Sequence, residues 1–261
     1  MIPSVPSLES ILKRDRLVVF AALAGITTVT WAYMVHEAHG MGAGACCRMI
    51  APDTDRWTTS TLLPLFLMWA EMMVAMMVPS AAPMILTFAA VNRKRRERDQ
   101  PFVSTGIFLA GYLFVWTLFS AFAAVAQWFL HAEALLTPMM VGQSPVLGGA
   151  LLIAAGTFQW TPLKNACLTR CRSPLNLLLT GWREGKAGAF IMGCKHGADC
   201  TGCCWILMLL LFVGGVMNIA WIAAIAIFVL LEKVLPKGPL FGEVAGGGLI
   251  AWGVWVLFSA I

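Results

Sequence analysis

Apolar residues run through this chain in blocks long enough to cross a bilayer, and the blocks are separated by short polar or basic stretches. A hydrocarbon core needs about 20 apolar residues of helix. The runs that reach or approach this length are Leu17 to Val35, about Thr59 to Val91, Phe102 to about Leu130, roughly Val146 to Phe158 with a tail towards Leu163, Trp205 to Leu231, and about Leu240 to Ile261. The pattern predicts an all-α, polytopic transmembrane helix bundle of about six spans. The stretch Leu175 to Met192 is ambiguous between an interfacial segment, a re-entrant segment and a seventh span. Pro79 and Pro83 suggest a break within the second run, which is long enough to tilt.

Composition sharpens this picture. Of 261 residues, 59% are hydrophobic and only 12% are charged, where a soluble domain is about one quarter charged. The mean hydropathy is +0.80. These values exclude an ordinary soluble enzyme, and the net charge of +5 then reads as a topology signal rather than as attraction to nucleic acid. Lys13, Arg14 and Arg16, the run Arg93-Lys94-Arg95-Arg96-Glu97-Arg98, and the group Lys164, Arg170, Arg172, Arg183, Lys186 and Lys195 fall on one side if the N-terminus is cytoplasmic. Arg48, Arg56, Lys233 and Lys237 fall on the other. The expectation is a single membrane domain over 1–261 in a bacterial inner membrane. Both termini are then inside, with an outer loop over 36–58 and a Cys/His-rich inner segment over 164–204; a seventh span would put the C-terminus outside. Ala43-Gly44-Ala45 resembles a cleavage site, but the first run exceeds a signal-peptide core and is read as an anchor. Gly242 and Gly246 have helix-packing spacing, within the chain or at an oligomer contact.

Candidate chemistry concentrates in that inner segment. Cys194, His196, Cys200, Cys203 and Cys204 lie within one short stretch, and Cys167 and Cys171 precede them. A cytoplasmic compartment keeps thiols reduced, and thiolates with a neutral imidazole suit Cu(I), Zn(II) or an iron–sulfur cluster. Cys200 and Cys203 form a C-x-x-C pair expected on a Gly-bearing turn, while Cys167 and Cys171 would share a helix face. Structural or merely reactive thiols, and thiol redox chemistry, are the competing readings.

Two further groups extend the pattern. Met68, Met72 and Met76 recur every four residues on the second run, with Met73 and Met77 beside them and Glu71 among them. Thioethers hold Cu(I) without burying negative charge, although Met is also a common core filler. An intramembrane acid is a functional candidate by default; hydrogen bonding to Gln127 or Gln159 is the structural alternative. On the outer side, His36, His39, Met41, Cys46 and Cys47, with Glu37, compose a second candidate metal site. His131 would lie on that same side.

Several of these segments resemble a bacterial family described only as predicted metal-binding integral membrane proteins. The resemblance is carried by Trp69…Ala75-Met76-Met77-x-Pro79, Gln159-x-Thr161-Pro162-x-Lys164, Cys167-x-x-x-Cys171-Arg172-x-Pro174 and Trp182-Arg183. It continues through His196-Gly197…Cys200-x-Gly202-Cys203-Cys204-Trp205, Gly215…Met217-Asn218…Trp221 and Glu232-Lys233. It covers most of the chain after about residue 60 and implies metal binding without an established reaction. The expected function is transition-metal transport or delivery, copper favoured, with a metalloprotein or membrane-complex partner. No nucleotide motif appears, so ATP-driven pumping by this chain alone is disfavoured. A metal- or thiol-containing redox subunit and a structural or assembly subunit are the alternatives.

Overall fold

A computed structural model of the protein describes residues 8–42, 61–98, 101–132, 144–173, 178 and 181–259. The described residues form helices and no strand. In chain order these are α1 (Leu8–Gly42), α2 (Leu62–Arg96), α3 (Thr105–Ala132), α4 (Pro145–Phe158), α5 (Pro162–Arg172), α6 (Gly185–Leu209), the short α7 (Leu211–Gly214), α8 (Ile219–Val234) and α9 (Gly238–Ser259). Five helices are long and apolar enough to cross a membrane, or six if the bent pair α4 and α5 counts as one span. Large apolar side chains such as Val29, Phe122, Val244 and Phe258 are more than 60% exposed, as a lipid-facing surface requires.

Helix α2 continues through both prolines. Pro79 has no N–H to give the carbonyl four residues back, and that carbonyl, Ala75 O, accepts instead from Trp31 Nε1 of α1 at 3.1 Å. A neighbouring helix thus satisfies the group that proline frees, which is how spans tolerate proline without breaking. At the end of α2 the chain reverses: the Asn92 side chain donates to Val103 O and accepts from Val103 N.

Two helix pairs approach at backbone distance because glycine lies between them. Gly111 and Gly193 bring α3 and α6 together, each facing a backbone carbonyl of the other helix where a Cβ would collide. Gly149 and Gly156 of α4 face Gly253 and Gly246 of α9 in the same way. The small residues of the last helix therefore pack within this chain.

Caps explain the breaks. Ser144 and Thr161 accept from the backbone N–H three residues on, each followed by a proline suited to the first turn; α4 and α5 then meet at a 63° bend. Gly215, at φ +94°, ends α7 in a conformation that glycine alone adopts readily, and Asn218 caps α8. The run Trp205–Leu231 is accordingly not one span but the end of α6, the short α7 and most of α8. Residues 185–204 are not a loop: they form the first part of α6, whose continuation to Gly214 is one of the candidate spans. Their Gly, Ala, Cys and Thr side chains are small enough to pack tightly on α3.

The contacts also fix direction. Val18 and Val19 of α1 lie by Ala89 and Arg93 of α2, Tyr112 reaches Met77 and Trp69 reaches Gln127, and Trp252 and Val256 of α9 lie by Phe212 of α7, which packs on Trp69. The start of α1 and the end of α9 are thus at opposite ends of the bundle. A cytoplasmic N-terminus therefore goes with a C-terminus on the far side, unlike the six-span expectation.

Candidate functional site

The centre of the molecule is a buried group of thiols drawn from two helices. Cys200, Cys203 and Cys204 on α6 are at most 1% exposed, and Cys171 on α5 is 8% exposed. All are free. On a helix, positions three and four apart share a face, so one face of α6 presents His196, Cys200, Cys203 and Cys204 in sequence. Cys171 makes side-chain contact with both Cys200 and Cys203, and Cys204 does the same. The four sulfurs therefore form a closed ring of neighbours. The Cys203 and Cys204 thiols also donate to Cys200 O, each at 3.0 Å.

Polar groups from three other helices converge on Cys200. Lys233 Nζ, near the end of α8, donates to Cys200 Sγ at 2.9 Å and to Ser80 Oγ of α2 at 2.9 Å. Tyr112 Oη of α3 lies 3.2 Å from Cys200 Sγ and donates to Met77 O at 3.0 Å. Ser80 Oγ donates to the same Met77 carbonyl. The circuit Met77–Tyr112–Cys200–Lys233–Ser80 is closed. In hydrocarbon an ammonium must find acceptors or a counter-charge, and here its partners are a hydroxyl and a sulfur.

His196 completes the set. It is 1% exposed, stacks on Tyr112 and Phe108, and its Nε2 has no hydrogen-bond partner. A buried imidazole nitrogen left without a partner forfeits a hydrogen bond. Metal coordination would satisfy it.

The other sequence candidates divide. Cys167 is half-buried and abuts Gly202 at the edge of the thiol group. Cys194 is half-buried and lies nearly two turns before Cys200 on α6, away from the ring. Met72, Met73, Met76 and Met77 are buried in the core that includes the thiols, whereas Met68 is half-buried. Glu71 Oε1 is buried without a hydrogen-bond partner, and Glu37 of α1 is close enough to interact with it electrostatically. Neither glutamine serves it: Gln127 accepts from Trp69 and Gln159 from Lys164. His36 and His39 are exposed on α1, with His39 Nδ1 2.7 Å from Val35 O. His131 is buried against Gln127 O. The Met41 side chain, Cys46 and Cys47 lie outside the described residues.

Among the described residues, no three His, Cys, Asp or Glu side chains are already set around one point as a metal site. The Cys203 and Cys204 thiols donate to a carbonyl instead. Four sulfurs and an imidazole nitrogen are nevertheless a soft donor set, suited to Cu(I) and also to Zn(II).

Sequence reasoning missed Lys233, Tyr112 and Ser80. Lys233 closes an apolar run beside Glu232 and so looks like the hydrophilic end of a span. It is 8% exposed, and Glu232 is 1% exposed and paired with the fully buried Lys164. A signal existed in Tyr112, one of only two tyrosines and placed within an apolar run.

Fold and site together define a class: an all-helical bundle, with helices long and apolar enough to cross a membrane, built around a group of buried free thiols. A family model described as PpoB2, copper chaperone, matches residues 66–256, and the chain belongs to that family. No curated protein and no solved structure matches it.

Proposed function

We propose that this protein binds Cu(I) at the buried thiol group and delivers it, across or from a bacterial inner membrane, to a metalloprotein partner. Cys171, Cys200, Cys203 and Cys204 are the donors, with His196 Nε2 available as a nitrogen ligand. One observation carries the reading: four free thiols from two helices touch one another next to an imidazole nitrogen that has no partner. The match to a copper chaperone family supports copper over zinc or an iron–sulfur cluster.

Copper is cargo here rather than a resident cofactor. The chain's own residues hold and shield it: Lys233 supplies positive charge beside Cys200, so that a thiolate donor need not be buried unbalanced, and the aromatic rings of Tyr112 and Phe108 keep water from His196. Metal moving along the bundle would meet Glu71 and the Met72/Met76 face of α2 on one side of this group. Cys167 lies against Gly202 at the edge of the group.

The test is anaerobic Cu(I) loading of detergent-purified protein followed by metal analysis. Wild type is expected to retain about one Cu(I) per chain against a competing chelator, and the double variant Cys200→Ser/Cys203→Ser to retain almost none while keeping its helical circular dichroism. Equal copper retention by the folded variant would remove the thiol group from the reading.

A further inference from the structure

A second candidate site lies at the end of α2, apart from the thiol group. A cavity of about 240 Å³ opens between α1, the end of α2 and the start of α3. Val18, Val19, Ala89, Ala90 and Phe102 make its apolar wall, and Arg93, Arg96, Ser104 and Thr105 line its polar end. The polar end is held in place. Asn92 clamps Val103 across the turn, the Arg96 guanidinium lies 4.7 Å above the Phe102 ring, and Arg93 Nε is ion-paired with Glu97 at 3.2 Å.

We infer that this cavity holds an anionic phospholipid, with its phosphate between Arg93, Arg96 and the start of α3 and its acyl chains against Val18, Val19 and Phe102. The occupant follows from two features in one place. Guanidinium groups match phosphate geometry, and the first turn of α3 contains no acidic residue to repel an anion from the positive end of a helix. The wall next to them is apolar and open to the lipid side: Val18 is 61% and Phe102 54% exposed. A free anion would leave that wall in water, whereas a lipid covers it. Basic residues in 93–98 would mark the anionic leaflet for this end of α2.

The site has a structural consequence. In the span formed by α1, only 11% of the most apolar window is buried in the bundle, less than in any other candidate span. A lipid lying between α1 and the α2–α3 turn would add the contacts that α1 lacks.

The experiment uses full-length, delipidated protein in detergent micelles, with phosphatidylglycerol or phosphatidylcholine as the added lipid and native mass spectrometry and thermal unfolding as readouts. Phosphatidylglycerol is expected to remain bound and to raise the unfolding temperature, and phosphatidylcholine to do neither. Arg93→Gln/Arg96→Gln should weaken phosphatidylglycerol retention roughly thirtyfold, and Arg96→Gln alone, at an exposed position, by less. Lys94→Gln/Arg98→Gln removes the same charge at exposed positions that do not line the cavity and should change retention less than about twofold. An equal loss in that control, equal binding of both lipids, or full stabilisation by millimolar inorganic phosphate without lipid would overturn the proposal. Copper loading does not enter any of these readouts, so the lipid site and the copper reading stand or fall separately.

Discussion

The two ends of the α2 methionine face differ sharply in how they treat their polar groups. Around Cys200 every donor is enclosed, and five elements contribute: α2, α3, α5, α6 and α8. Around Glu71, among the described residues, Glu37 of α1 is close enough to interact electrostatically, His36 and His39 of α1 are exposed, and Glu71 Oε1 has no hydrogen-bond partner. Enclosure by rigid elements fixes donors and excludes water, which favours retention of a soft ion. On the proposed copper function, the enclosed thiol end would be the place of storage or handover, and the exposed histidines on α1 at most a place of first contact.

Perturbations should follow that gradient. The largest effect is expected from Glu232→Gln, which keeps an acceptor oxygen but leaves the buried Lys164 ammonium without the carboxylate it is paired with. Breaking a buried ion pair costs about 3 to 5 kcal/mol, and denaturant unfolding in detergent would measure it. A loss below about 1 kcal/mol would mean that water reaches the pair, and the enclosed end would not be dry. Next comes His196→Leu, which keeps the apolar stacking face but removes the unpartnered nitrogen. Cu(I) affinity should fall about tenfold, a difference of about 1.4 kcal/mol, with stability preserved or raised because the orphan polar atom is gone. Unchanged affinity in a competition titration would make His196 a packing residue. The smallest effect belongs to His36→Ala/His39→Ala: retained copper should change less than about twofold, while the uptake rate into vesicles slows. Were this pair to lower retention more than His196→Leu, the contrast between the ends would be reversed.

How much of this was legible in the sequence depends on what each residue type signals locally. Helical character and the apolar runs followed directly from hydrophobic length. The crowding of thiols and imidazole marks Cys167, Cys171, Cys194, His196, Cys200, Cys203 and Cys204 as one candidate set, and the structure brings the sulfurs of Cys171, Cys200, Cys203 and Cys204 together. Cys194 belonged to the same stretch but sits away from the ring, because positions six apart on a helix point in different directions. The turn expected at Cys200–Cys203 is helix instead, since Gly202 serves close contact with Cys167 rather than a reversal. The charged residues misled most. Lys164, Glu232 and Lys233 read as the polar margins of spans, yet all are buried, because, apart from the nearby Gln159 on Lys164, their partners come from 33 to 153 positions away.

From the order of its side chains alone this protein is committed to helices in an apolar medium, and to a soft donor set, because hydropathy and ligand type are properties of single residues and short windows. Which donors meet was decided by tertiary structure. The glycine contacts of α3 with α6 set how closely those backbones approach, and the bend after α4 accompanies the meeting of α5 and α6 that puts Cys171 on Cys200. Only a folded bundle can make Lys233 the neighbour of a thiol, since that contact joins residues with no local pattern between them.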